Sequence, residues 1–336
     1  MPIDPDLSRF SDLAFGTALV LYVLALGLLL AEFAGLRTRT SAAATSADRA
    51  HQLVAAGGGS GSSSAGPSTR PTAPGRLEAP GGRPVAERLG RSGIALTVLG
   101  LALAVASLVL RGLSAGRVPW GNMYEFTALT CAVAVGAWLV VLRRWQVREL
   151  TVFVLLPVVL LMFVAGTVLY AQTAPVVPAL RSYWLAIHVS VIAAASGILL
   201  VSGIASAMYL LRVRHPEGGD GGSRLAQVAG RLPGAAVLDR VAYRTAIVGF
   251  PLFTAGVILG AVWAEAAWGR YWGWDPKEVV AFVTWVVYAA YLHARATAGW
   301  RNAASWVNIV GAGVIVFNLF FINMVVSGLH SYAGLN

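Results

Sequence analysis

LTVFVLLPVVLLMFVAGTVLY, Leu150 to Tyr170, carries no charged side chain and is long enough to cross a bilayer. A hydrocarbon core of about 30 Å needs roughly 20 helical residues. In lipid no water is present to satisfy backbone N–H and C=O groups, so such a run closes its hydrogen bonds on itself as a helix. Seven further runs have the same character: Leu13–Phe33, Ser92–Val109, Phe126–Leu142, Trp184–Leu211, Ala242–Val262, Val279–Thr297 and Val307–Ser327. The sequence therefore predicts an all-α polytopic membrane protein with about eight transmembrane helices. The stretch before the first span, MPIDPDLSRFSD, has three Asp against one Arg, the reverse of a cleaved signal peptide.

Composition agrees. Of 336 residues, 57% are hydrophobic and 12% charged, about half the ~25% charged content of soluble domains. Mean hydropathy is +0.70. Soluble enzymes, disordered chains and collagen-like proteins are excluded. The single cysteine, Cys131, lies in an apolar run, which excludes a disulfide framework, a CxxC pair and a Cys-rich metal site. There is no CxxCH, so the chain does not itself carry covalently attached haem.

The net charge of +10 is distributed by side. Alternate loops and span edges hold 19 of the 25 cationic residues on one side, and the other side has Arg9, Arg111, Arg117, Arg181, Arg270 and Lys277. By the positive-inside rule the rich side is cytoplasmic and both termini lie outside. The charge is thus a topology signal and no nucleic-acid partner is implied. Three regions follow: residues 1–37, the first span with its outer N-terminus; 38–91, a flexible cytoplasmic linker; and 92–336, a seven-helix membrane domain. From Thr38 to Ala86 the linker is Gly/Ser/Pro/Ala-rich and has too little apolar surface to fold. His51 in the linker and His215 in HPEGGDGG read as solvated loop histidines. No internal repeat is present to support an inverted-repeat transporter.

WAEAAWGRYWGWDPKE, Trp263 to Glu278, is expected outside, between spans six and seven. Trp263, Trp268, Trp272 and Trp274 fall within twelve residues, with Tyr271 among them. An interfacial aromatic belt accounts for one or two residues per helix end. It does not account for this density, or for Gly269, Gly273, Pro276 and Asp275 within it. A platform of aromatic rings with small residues allowing close approach suits a large, flat, apolar ligand. His188, in RSYWLAIHVS, and His330, in NMVVSGLHSYA, are expected at the same face and at similar depth. Two imidazoles bracketing an aromatic loop point to a bis-imidazole metal site, and the flat ligand with two axial positions on its metal is haem. His293 lies 14 residues into span seven, about 21 Å down it. It is either a functional intramembrane residue, a neutral histidine bonded to a neighbouring helix, or a headgroup-level residue beside Arg295. No second histidine shares its depth, so a bis-histidine site there needs a ligand from another chain. Glu125, in WGNMYEF, is either a ligand contact or a helix-start carboxylate. Asp275, Pro276 and Glu278 have the spacing of an N-cap, a first-turn proline and a capping box. Lys277, Arg270 and Arg181 are outer cations available to haem propionates.

Trp268-Gly-Arg-Tyr-Trp272-Gly-Trp274-Asp275 resembles the WGxxWxWD motif of the CcsA/ResC family (CcsB in actinobacteria), the haem-handling proteins of system II cytochrome c biogenesis. GNMYEF and YWLAIHVS resemble the family's outer N-x-Y-E and histidine segments, and the likeness covers roughly Val118 to Asn336. The resemblance implies a multi-pass protein of the bacterial cytoplasmic membrane that exports or presents haem b at its outer face. By this likeness His188 and His330 ligate the iron there, while His293 serves an inner haem site whose other ligand comes from a ResB-type companion. Trp268, Trp272, Trp274, Asp275, Gly269 and Glu125 are then cofactor-binding. The two proteins together would form a cytochrome c synthase (haem lyase), joining haem vinyls to the CxxCH thiols of apocytochrome c. A thioredoxin-like protein would keep those thiols reduced. No residue reads as a nucleophile or acid–base catalyst, so the chain acts as a template. The related system I proteins CcmC and CcmF have six spans and a much longer chain respectively, and fit less well.

Two other classes remain open on residues alone. A permease with a tryptophan lid would need charged or broken helices at the midplane. An electron-transfer haem protein would need paired intramembrane histidines. The topology is directly checkable. A reporter active only outside the cytoplasm should be active when fused after Asn336 and silent within Gly57–Ser64; the opposite result at either site overturns the charge count.

Overall fold

The computed structural model describes residues 3–56 (backbone only for 36–56), 85–176, 181–216 and 223–330. The described residues are helical and include no strand. The order is α1 (Pro5–Ala56), α2 (Val85–Ala115), α3 (Met123–Arg144), a single 3-10 turn at Arg148–Leu150, α4 (Thr151–Thr167), α5 (Tyr183–Arg214), a short α6 (Arg224–Ala229), α7 (Ala235–Trp268), α8 (Pro276–Ala296) and α9 (Arg301–Met324). Eight of these segments are long and apolar enough to cross a membrane, in agreement with the sequence.

Several boundaries differ from the sequence reading; helix α2 begins at Val85, inside the linker expected to reach residue 91, and two others bear on the site and the linker. The apolar part of α1 ends near Gly35, but its backbone stays helical to Ala56, past the expected linker start at Thr38. Alanines dominate this extension and are the best helix formers. The rest of the Gly/Ser segment, residues 57–84, and the side chain of His51 lie outside the described residues. At the other boundary, α7 continues six residues beyond Val262 and takes in Trp263 and Trp268. The alanines between them favour helix, and Gly269 stops it in the left-handed conformation at φ 71°. The tryptophan segment is therefore half helix, and only its second part is a loop.

Helix α5 is shared between two packed groups. Residues of α1–α4, the C-terminal half of α5 and the start of α7 form one core, around Trp138, Val135 and Leu155. Residues of α5, α7, α8 and α9 form a second, around Leu199, Tyr288 and Tyr291. Some polar groups bond one another across helix contacts. Asn308 of α9 donates to Ser202 and Ser206 of α5, each at 2.8 Å.

Ion pairs mark the two ends of the bundle. At one end Glu125, fully buried, accepts from Arg111 Nε at 2.8 Å, from Arg117 Nη1 at 2.8 Å and from the Gly121 N–H at 2.7 Å. Arg111 reaches on to Asp12 and to the Ala171 carbonyl, and Tyr170 donates to Asp12. The charges of Arg111, Arg117, Glu125 and Asp12 balance. This joins α1, α2, the start of α3 and the segment after α4. At the opposite end Arg148 pairs with Glu32 and Arg295 with Asp239. The start of α1 and the segment after α9 both lie at the Glu125 end, as an even number of crossings requires.

Glu125 was expected among the cofactor contacts. The structure corrects that: both carboxylate oxygens are committed to arginines and a backbone N–H, so it is a structural anchor. Removing one partner of a buried ion pair costs about 3–5 kcal/mol. Glu125→Ala should therefore lower membrane abundance and the unfolding temperature in detergent, and Glu125→Gln should do so less. Unchanged abundance and melting in Glu125→Ala would contradict a structural role.

Candidate functional site

The site grows from the way α8 begins. Asp275 caps α8: one of its oxygens accepts the Lys277 N–H at 3.2 Å, Pro276 occupies the first turn, and Glu278 completes the capping box. The same carboxylate reaches the segment after α9. Its Oδ1 accepts the Leu329 N–H at 2.6 Å, and its Oδ2 accepts Nδ1–H of His330 at 2.8 Å. Burial alone would push the Asp275 carboxyl up, but the bonds from His330, Leu329 and Lys277 hold it below its ordinary range. Burial pushes the His330 imidazole below its ordinary value, against the pull of Asp275. At neutral pH the pair is a carboxylate and a neutral imidazole. With its hydrogen on Nδ1, His330 has its lone pair on Nε2.

His188 is arranged the same way from a different helix. Its Nδ1 lies 2.8 Å from the Gly256 carbonyl of α7. A carbonyl only accepts, so Nδ1 donates and the lone pair again sits on Nε2. The ring packs where α7 presents Gly260; a Cβ there would stand 2.7 Å from His188 Cε1. An imidazole that binds metal through one nitrogen usually donates its other N–H to a carboxylate or backbone carbonyl. Both histidines have that second partner.

Trp263 stands against both rings. Its ring is parallel to His188, with centroids 6.0 Å apart and planes at 8°, and edge-on to His330 at 5.9 Å. Trp268 meets Trp263 at 4.7 Å and His330 at 5.3 Å. These rings wall a cleft enclosing about 1310 Å³ of empty space, its open mouth included, between α3, α5, α7, α8 and α9. His188, His330, Trp268 and Trp272 all line it, as do Trp120 and Trp263. The remaining lining is mostly apolar, with Leu185, Val189, Phe253 and Ile315 among it.

Other expected site residues lie elsewhere. Gly269 does not line the cleft; it is the left-handed residue that ends α7. Asp275 does not line it either, and acts on it through His330. Trp274 is 73% exposed and stands beside Trp272 with ring centroids 5.9 Å apart. Its φ of 58° is unusual for a bulky residue. Glu278 holds that turn by accepting the N–H groups on either side, from Gly273 at 2.8 Å and Asp275 at 3.1 Å. His293 is exposed in the last turn of α8, away from the cleft. Arg181 and Arg270 lie outside the lining, whereas Lys277 is part of it.

Trp263 belongs to the aromatic platform read from the sequence but was not given a binding role, because a helix end read as loop hid its inward direction. Trp120 heads the WGNMYEF segment, where only Glu125 was given a role. Among the described residues no three His, Cys, Asp or Glu side chains gather as a protein-only metal centre would require. Two imidazoles lining one aromatic, mostly apolar cleft suit a metal already held in a flat macrocycle, and the donor set fits haem.

The geometry thus defines a polytopic membrane protein with an aromatic cleft flanked by two imidazoles. Residues 120–330 match the family model described as cytochrome c assembly protein. The cytochrome c biogenesis protein CcsA of Parasynechococcus marenigrum (strain WH8102) is 38% identical over 274 residues, covering 72% of this chain and 87% of that one. CcsA of Synechococcus sp. (strain CC9311) is 37% identical, covering 68% and 83%. CcsA of Prochlorococcus marinus (strain MIT 9303) is 37% identical, covering 72% and 86%. Among solved structures, the Cytochrome c Heme Lyase CcmF superposes with a TM-score of 0.58 at 15% identity; the match covers 96% of this chain and half of that one, and shows a shared fold. The chain belongs to the cytochrome c assembly family and, within it, to the CcsA proteins of cytochrome c biogenesis.

The Asp275 bridge gives a direct prediction. In Asp275→Ala the Leu329 amide loses its acceptor and should exchange hydrogen much faster, while amides within α8 past its first turn stay protected. The lost cap should cost about 1 kcal/mol. Unchanged exchange at Leu329 would mean that Asp275 does not seat His330.

Proposed function

We propose that this chain binds haem b in the cleft and presents it for attachment to apocytochrome c at the outer face of the bacterial cytoplasmic membrane. It does so as the CcsA-type half of a two-protein cytochrome c synthase. The observation that carries this reading is the matched pair of imidazoles. His188 and His330, from elements far apart in sequence, each commit Nδ1–H to a fixed acceptor and meet the same Trp263 ring. They are the residues that would hold the haem iron. Trp263, Trp268, Trp272 and Trp120 supply flat apolar walls and exclude water, and exposed Trp274 meets what approaches from outside.

Bound haem supplies two vinyl groups. Each thiol S–H of a CxxCH segment adds across one vinyl double bond, so no leaving group and no net oxidation are involved. The chain needs no nucleophile for this; it contributes position and protection. A thioredoxin-like protein supplies the thiols in reduced form, and the ResB-type companion completes the synthase. His293 fits that partnership. It is exposed on α8 at the end opposite the cleft, so a second ligand beside it comes from another chain. The charge asymmetry of the loops supports a cleft that opens outside.

Imidazole tests the assignment. His188→Ala or His330→Ala should lose cytochrome c maturation, and millimolar imidazole should restore part of it by filling the vacant axial position. The double variant should be restored less. Trp272→Ala loses a wall and not a ligand, so imidazole should do little for it. Normal maturation by both single variants without imidazole would overturn the ligand assignment. Haem attachment to a co-expressed CxxCH apoprotein separates this function from simple electron transfer.

A further inference from the structure

The cleft contains one charged group that neither the fold nor the imidazole pair explains. Lys277 is the only lysine in the chain. It sits in the first turn of α8, where the helix dipole disfavours positive charge. It nevertheless lines the apolar cleft. An ammonium has three donors. Among the described residues Nζ has one hydrogen-bond partner, Asn323 Oδ1 of α9, at 2.8 Å. Asn318, one turn earlier on α9, also lines the cleft. Its Oδ1 is buried with no hydrogen-bond partner among the described residues, and its Nδ2 reaches the Lys277 carbonyl only at 3.5 Å. Turned over, that amide would present two further N–H donors at the same place. Glu278 is the nearby acid in the lining, but its Oε2 is taken by the Gly273 and Asp275 N–H groups. An under-satisfied ammonium and an orphaned amide in a desolvated corner are costly unless an anion arrives to meet them.

We propose that Lys277, held in place by Asn323, and Asn318 form a carboxylate-binding corner that seats one haem propionate and so fixes the rotational orientation of the ring in the cleft. This rests on the reading of the cleft as a haem site and adds to it a reason for one orientation. Imidazoles and tryptophans hold a flat ring but do not distinguish its edges. In haem the propionates occupy one edge and the vinyls the opposite half. Seating the acid edge between α8 and α9 turns the vinyls away from that corner, toward the part of the cleft where a thiol must reach them. Lys277 is a positioning residue here and takes no part in bond formation.

The test uses the purified full-length chain in detergent, titrated with haem and with haem dimethyl ester. The ester keeps the iron, ring and vinyls but has no carboxylate. Wild type should bind haem about tenfold or more tightly than the ester, the scale of one charge-assisted hydrogen bond. Lys277→Met should bind both equally, with the spectrum of bis-imidazole iron unchanged. Lys277→Arg should keep much of the preference, and Asn318→Ala should lose part of it. Equal affinities in wild type, or an undiminished preference in Lys277→Met, would overturn the corner. Loss of the bis-imidazole spectrum in Lys277→Met would overturn it too, by making Lys277 a prop for His330. If neither compound binds wild type, the haem reading of the cleft fails and takes the corner with it. A haem-loaded chain without carboxylate preference sinks only the corner.

Discussion

Two oxygens of one side chain hold the site together. Asp275 caps α8 through the Lys277 N–H and, with the same carboxylate, takes the Leu329 N–H and Nδ1–H of His330. The turn that carries Trp272 and the segment that carries His330 thereby become one rigid piece. A carboxylate suits this task because it accepts several hydrogen bonds at once and gains strength from charge. Fixing His330 through Nδ1 also fixes its tautomer, and with it which nitrogen carries the lone pair. Asp275 therefore acts on the cleft through His330.

The polar groups in this membrane protein fall into two physical kinds. Some are closed: Glu125 with Arg111 and Arg117 commits both its oxygens and binds helices together. Others are open, with binding capacity left over and a cleft to spend it in. His188, through Nε2, and Lys277 belong to that second kind. The distinction matters because burying a polar group in an apolar setting is tolerated only when it is bonded. Open polar groups in a largely apolar cleft are a signature of a ligand's place.

Close approach of helices completes the arrangement. Helix α7 meets α5 through Gly256 and Gly260, one giving its carbonyl to His188 and the other giving room for the ring. A side chain at Gly260 would drive the imidazole from its seat. Helix packing and ligand orientation are the same contact at this point, so α5 and α7 position the site by the way they pack.

Much of this was legible in the sequence. Eight apolar runs gave eight membrane helices, because in lipid a long apolar segment has no alternative to the helix. Asp275, Pro276 and Glu278 announced the start of α8 through local capping chemistry, and the observed cap has those residues in those roles. The density of tryptophan and the two histidines at similar depth pointed to the site, and His188, His330, Trp268 and Trp272 do line one cleft. What local pattern could not decide was direction and partnership. Glu125 read as either a ligand contact or a helix-start carboxylate; it does lie in the first turn of α3, but its pairing with Arg111, 14 residues away, forms only once α2 and α3 are packed. Trp263 looked like loop and proved to be helix, packed against both imidazoles. Gly269 and Trp274 share the motif with Trp272, yet one ends a helix and the other faces out. Spacing along the chain fixes which residues share an element; which of them face one another across a cavity depends on contacts between helices distant in sequence, and only the tertiary structure supplies those.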